Sequence, residues 1–188
     1  MDKRYSSYKK KSKKNFRIRI KCGFDTRRFA THSTTGLINM KEITIYTDGG
    51  CHGNPGPGGW AIVVIADGVA KQLSGGEKLT TNNRMELMAA ITALTVVHNT
   101  PDFAGSHVTV NIDSQYVKNG ITTWIKNWKA KGWRTADKKP VKNQDLWVQL
   151  DSLNAGLNVT WNWVKGHAGV EYNELCDQLC QAEIAKFE

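Results

Sequence analysis

The chain is 188 residues long with a formal charge of +9, which is one ordinary domain plus a tail, able to bury roughly two-thirds of its unfolded surface. No apolar run reaches the ~18 residues of a membrane span. Four cysteines (Cys22, Cys51, Cys176, Cys180) without CxxC spacing indicate neither a zinc site nor a disulfide framework, and fit a reducing cytoplasm.

Residues 1–40 carry the basicity: twelve Lys/Arg against two Asp, whereas residues 41–188 carry fourteen against fifteen Asp/Glu. The lysine block YKKKSKK, the segment FRIRIK and the Thr/Ser-rich ATHSTTG show no apolar face of useful length, so this stretch reads as a basic, disordered extension. Three explanations stand side by side: an arm that binds phosphates nonspecifically, an address segment, or a start assigned too early, with Met40 as the true first residue.

From Lys41 the pattern is mixed α/β. EITIYTD alternates as a strand, GGWAIVVIA is a buried apolar run, and Asp67-Gly68 marks a hairpin into VAKQLSGG, which gives three sequential antiparallel strands. Asn82 or Asn83 caps a mostly apolar helix to about His98. HVTVNID is a fourth strand, with Val108, Val110 and Ile112 on one face and Thr109, Asn111 and Asp113 on the other. Two short helices, SQYVKN and ITTWIKNWKA, are separated by Gly120; a basic loop leads to the helix DLWVQLDSL. NVTWNWVK is the fifth strand, and a helix from about Glu171 to Phe187 closes the chain.

Four acids stand out. Asp48 ends the first strand and Asp113 the fourth, which is also where polar turn residues belong. Glu86 follows Asn83 by three residues, the spacing of a capping box, yet the helix after it is so apolar that a lone carboxylate in its first turns faces the sheet. Asp177, in the closing helix, singly reads as a solvated side chain. Gathered together, such carboxylates repel unless a cation fills the cluster, so metal-dependent phosphoryl chemistry is the first hypothesis. The loop CHGNPGPGG (51–59), with Asn54, allows close backbone approach to a polymer. His167, between Gly166 and Gly169, is a surface residue or a proton shuttle. Residues 124–142 hold seven Lys/Arg against one Asp, interleaved with Trp124, Trp128 and Trp133. The first two of these tryptophans are spaced as core residues would be, and the whole segment as a surface that tracks phosphates.

The motifs TDGGCHGNPGPGGWA, TTNNRMELMAAI, DSQYVKNGITTWIKNW, GWRTADKKPVKNQDLW and WVKGHAGVEYNELCD together resemble bacterial-type (type I) ribonuclease H over almost all of residues 41–188. The resemblance implies the ribonuclease H-like α/β fold, a mixed five-stranded sheet flanked by helices. It implies an endonuclease that cuts the RNA strand of RNA–DNA hybrids to 5′-phosphate and 3′-hydroxyl ends, removing primers and stray hybrids. Asp48, Glu86, Asp113 and Asp177 correspond to ligands of two Mg²⁺ ions in the substrate complex, with Mn²⁺ as an alternative. His167 corresponds to a histidine that assists proton transfer or product release. Asn54, Asn82, Asn83 and Gln115 match contacts to the hybrid's minor groove, where amide side chains suit the RNA 2′-hydroxyl. Thr81 and Asn143 match a DNA-phosphate pocket, whose basic partner in some relatives is Leu79 here. Trp124, Trp128, Lys129, Lys131 and Trp133 match the protrusion that grips DNA. A monomer without an obligatory protein partner or membrane contact is expected. The sequence departs from the pattern at Gly50, which lacks a hydroxyl, and at His52, where an apolar residue is common. The rivals are a detached nuclease domain of a reverse transcriptase and a noncatalytic protein that coats hybrids.

Overall fold

A computed structural model describes residues 41–188; the basic extension expected at 1–40 lies outside the described residues. Five strands form one sheet in the order β3-β2-β1-β4-β5, with β1 Glu42–Cys51, β2 Gly56–Ala66, β3 Val69–Thr80, β4 His107–Ile112 and β5 Asn158–Trp163. The first three strands pair antiparallel, while β4 runs parallel to both β1 and β5. This is the mixed sheet expected from the sequence.

The sheet is covered on both faces, which explains the unbroken apolar run in β2. Ile62 and Val64 face the larger core, shared with Ile43, Ile45, Val108, Val110 and the helix α1, Asn82–Asn99. Ala61 and Val63 face the other way, against Cys176 and Cys180 of the closing helix. We number the later helices α2 Gln115–Asn119, α3 Ile125–Ala130, α4 Gln144–Ala155 and α5 Glu171–Ile184. Helix α1 buries residues around most of its circumference, from Met85 to Val97, because it lies between the sheet and α4.

Three local expectations are corrected. Strand β1 does not end at Asp48: it continues through Gly49 and Gly50 to Cys51, pairing with Ala61, Trp60, Gly59 and Gly58. Strand β2 correspondingly starts at Gly56, so the glycine-rich loop shrinks to four residues. The reason is close packing. A Cβ at Gly49 would lie 2.3 Å from the Glu86 backbone nitrogen, and one at Gly59 would lie 2.4 Å from the Cys180 carbonyl. The glycines thus let helices seat on both faces of the sheet.

The cap of α1 is Thr81 rather than Asn82 or Asn83, so Glu86 stands too far into the helix for a capping box. Gly120 does not separate two helices either. It opens a π-helical turn, Gly120–Trp124, that joins α2 to α3. A Cβ there would stand 2.0 Å from the fully buried Trp147 ring.

Candidate active site

Asp48, Glu86 and Asp113 converge from three elements. Asp48 projects from β1, Glu86 from the second turn of α1, and Asp113 directly follows β4, which lies beside β1 in parallel register. Each offers a carboxylate oxygen within 4.8 Å of the others. Gly49 makes this possible by admitting the backbone of Met85 and Glu86 against the strand. The grouping does not include Asp177. That residue, on α5, lines the same cleft, along with Asn82, Gly166, His167 and Gln181.

Burial dominates the electrostatics. Asp48 and Glu86 are 8% and 6% exposed, among the few buried charged side chains of the described residues. Burial first, then the neighbouring carboxylate of Asp113, raises the Asp48 pKa to about 6; the Gly49 backbone N–H opposes the shift. Glu86 is pushed well above the usual carboxylate range by burial, then by Asp48 and Asp113, against one hydrogen bond from Asn82. Its Oε2 has no hydrogen-bond partner among the described residues. Three carboxylates grouped this closely, one of them with a buried oxygen left unpartnered, are the donor set of a hard divalent cation, which would restore the ionised forms.

The remaining residues fall into four groups. His167 is exposed, with left-handed backbone, and its Nδ1 lies 4.0 Å from Asp177 Oδ2. Asn54, Asn82, Asn83 and Gln115 are all exposed, and Asn82 is on the cleft wall. Thr81 and Asn143 precede the first residues of α1 and α4. Arg84 links these regions, donating to Asn143 Oδ1 at 3.5 Å and to both carboxylate oxygens of Asp145. Leu79, exposed by 74%, lies two residues before Thr81.

In the basic segment, the tryptophans serve the core as well as the surface. Trp124 packs at 5.8 Å from Trp128, and Trp128 at 5.3 Å from buried Trp147, with Tyr116 touching both Trp124 and Trp147. Trp133 is half-buried against the same core, and the loop beyond it closes through Thr135 N–H to the Lys139 carbonyl. Lys129 and Lys131 are exposed, and Lys129 is paired with Asp151 at 2.7 Å.

Several contributors were not singled out in the sequence. Asn173 is buried and donates from Nδ2 to Asp113 Oδ2 at 3.3 Å; the Trp163 indole donates to the Asp113 carbonyl at 3.1 Å. Gly166 leaves room for the same carboxylate, since a Cβ there would meet Asp113 Oδ2 at 2.9 Å. Asn173 and Gln181 stand four residues either side of Asp177 on α5, a helical spacing that brings them onto its face.

Comparison with known proteins agrees with this geometry. The family model described as RNase H matches residues 40–185. Ribonuclease H of Nitrobacter hamburgensis is 53% identical over 146 residues, covering 78% of this chain and 93% of that protein. Ribonuclease H of Francisella philomiragia is 53% identical over 152 residues, covering 80% and 97%. Among solved structures, LC9-RNase H1, a type 1 RNase H with the type 2 active-site motif, superposes with a TM-score of 0.71 at 29% identity, covering 81% of this chain and 76% of that one.

Proposed function

The chain belongs to the ribonuclease H family, and on that premise we propose that it is an endonuclease hydrolysing the RNA strand of RNA–DNA hybrids to 5′-phosphate and 3′-hydroxyl ends. The observation that carries this reading is the convergence of Asp48, Glu86 and Asp113 in one cleft with an unpartnered oxygen on Glu86.

Asp48, Glu86, Asp113 and Asp177 are the residues to hold two Mg²⁺ ions, with Mn²⁺ as an alternative. Bound there, the metal lowers the pKa of water and stabilises charge on phosphoryl oxygens. The chain's own residues do the rest. Asn173 and Trp163 hold the carboxylate and carbonyl of Asp113 in place. His167, exposed at the rim beside Asp177, carries a proton on its imidazole between the cleft and solvent.

Asn54, Asn82, Asn83 and Gln115 offer amide groups that both donate to and accept from a 2′-hydroxyl, so RNA is distinguished without base reading. Thr81 and Asn143 receive a phosphate of the DNA strand. Trp124, Trp128, Trp133, Lys129 and Lys131 grip that strand further along. Lys129 must exchange Asp151 for a phosphate to take part. In the cell, we place the protein in the cytoplasm as a monomer that removes RNA primers and stray hybrids. None of the described helices is long and apolar enough to cross a membrane.

The test is cleavage of a labelled hybrid with and without Mg²⁺, beside duplex DNA and duplex RNA. Metal-dependent cutting of the hybrid's RNA strand alone is expected. Tight binding without cutting would overturn the reading in favour of a hybrid-coating protein.

A further inference from the structure

Asp177 is the least constrained of the four acids. It lies outside the cluster of three, and its side chain is 32% exposed. One turn further along α5, Gln181 donates from Nε2 to Asp177 Oδ1 at 3.4 Å. The other end of the same amide is also engaged: His52 Nε2 lies 3.0 Å from Gln181 Oε1. His52 Nδ1 in turn lies 2.6 Å from Glu188 Oε1. His52, Gln181 and Asp177 line one cleft wall.

The direction of these bonds follows from the groups involved. An amide oxygen and a carboxylate only accept, so His52 donates from both ring nitrogens, as an imidazolium does. A donor at Nε2 obliges Gln181 to present its oxygen to His52, which leaves its NH₂ for Asp177. A Gln181 amide flipped the other way would oppose oxygen to oxygen across Asp177. The base of this chain is rigid, because α5 seats against β2 at Gly59 with no room for a Cβ. Opposite Gln181, Gly50 leaves its amide uncrowded: a Cβ there would come no closer than 4.0 Å to Nε2.

We propose that Gln181 is a positioning residue for Asp177, kept in its orientation by a clamp of His52 and Glu188, and that it strengthens the cleft's hold on divalent cation. The proposal rests on the metal-binding reading above. Hydrogen bonds to a ligating carboxylate fix its orientation and retain its charge, and their loss weakens metal binding roughly 10- to 100-fold. A long bond at a half-exposed residue belongs at the lower end of that range.

The experiment titrates Mg²⁺ alone into the full chain by calorimetry, and separately measures hybrid cleavage against Mg²⁺ concentration. Gln181→Leu is expected to weaken Mg²⁺ binding about 10-fold and to raise the half-saturating Mg²⁺ for cleavage by the same factor. Turnover at saturating Mg²⁺ stays within about 2-fold, the split that separates positioning from chemistry. His52→Leu frees the amide to flip and shifts both quantities the same way by less; His52→Gln, which again offers a donor, restores them. Unchanged Mg²⁺ affinity in Gln181→Leu beside a wild type that binds and cleaves would overturn the positioning role alone. A wild type that neither binds Mg²⁺ nor cleaves would overturn the metal-binding reading beneath it.

Discussion

The cleft acids and the cations of residues 124–142 are both charged groups on one domain, in opposite surroundings. Asp48 and Glu86 are buried among like charges, and Glu86 keeps an oxygen without a partner among the described residues. Lys126, Lys131, Arg134, Lys138 and Lys139 stand in solvent above a base of Tyr116, Trp124, Trp128 and Trp147 rings. In the cleft, each charge is destabilising until a cation arrives, so single changes there have large effects of opposite sign on stability and turnover. On the protrusion, each of these cations is exposed and contributes little by itself; the aromatic base matters more than any one charge.

The sharpest way to break this contrast is Asp48→Asn. Turnover on a hybrid is expected to fall at least about 10³-fold, since several kcal/mol of charge stabilisation depend on the site, while hybrid binding by fluorescence anisotropy is retained. Near-normal cleavage would remove Asp48 from the site.

Next in size is Gly120→Ala, which probes the aromatic base. With Trp147 fully buried and a Cβ position 2.0 Å from its ring, a loss of about 3 kcal/mol in denaturant unfolding is expected. A variant as stable as wild type would show that the base yields easily.

The third prediction concerns pH without metal. Asp48 titrates near 3.8 in the unfolded chain and about 6 in the folded one. Between about pH 4 and 6 the native state therefore holds a proton that the unfolded state has released, so its contribution to stability is present below that window and lost as pH rises through it. Asp48→Asn removes this loss, and its metal-free form at pH 7 is expected to be more stable than wild type by on the order of 2 kcal/mol. Urea titrations at pH 4 and 7 decide this; parallel pH profiles of the two proteins would contradict it. Glu86, shifted in the same direction, leaves a residual slope.

Smallest is Lys131→Ala. A modest loss of hybrid affinity is expected, with the log–log salt slope reduced by roughly 0.7–0.9 if one phosphate contact disappears. An unchanged slope would take Lys131 off the nucleic-acid surface.

The alternation in β4 and the apolar run of β2 were legible because both periodicities are local. So was the placement of Glu86 and Asp177 in helices and of Asp113 directly after a strand, and all three line one cleft with Asp48. What stayed hidden was set by contacts between elements. Gly49 and Gly50 have poor strand propensity, and nothing nearby says that β1 runs on to Cys51; the reason is the backbone of α1 lying against it. Asn83 and Glu86 are spaced as a capping box, but the helix starts two residues earlier than such a box requires and points Glu86 inward. Gly120 looks like a helix break until the Trp147 ring is in view. Asn173 and Gln181 are ordinary amides in a polar helix, and only the acids the fold brings to them, Asp113 for Asn173 and Asp177 for Gln181, give them meaning.

The parallel pairing of β1 with β4 has a kinetic corollary. Its first contact, Glu42 with His107, closes a separation of 65 residues, and such long-range pairing forms slowly. Asp48 and Asp113 stay apart until that pairing is made, so a chain still searching for its fold offers a divalent cation no assembled group of carboxylates to bind. The ion's stabilisation should then appear on the unfolding side, lengthening the lifetime of the finished protein while leaving the pace of its folding unaltered.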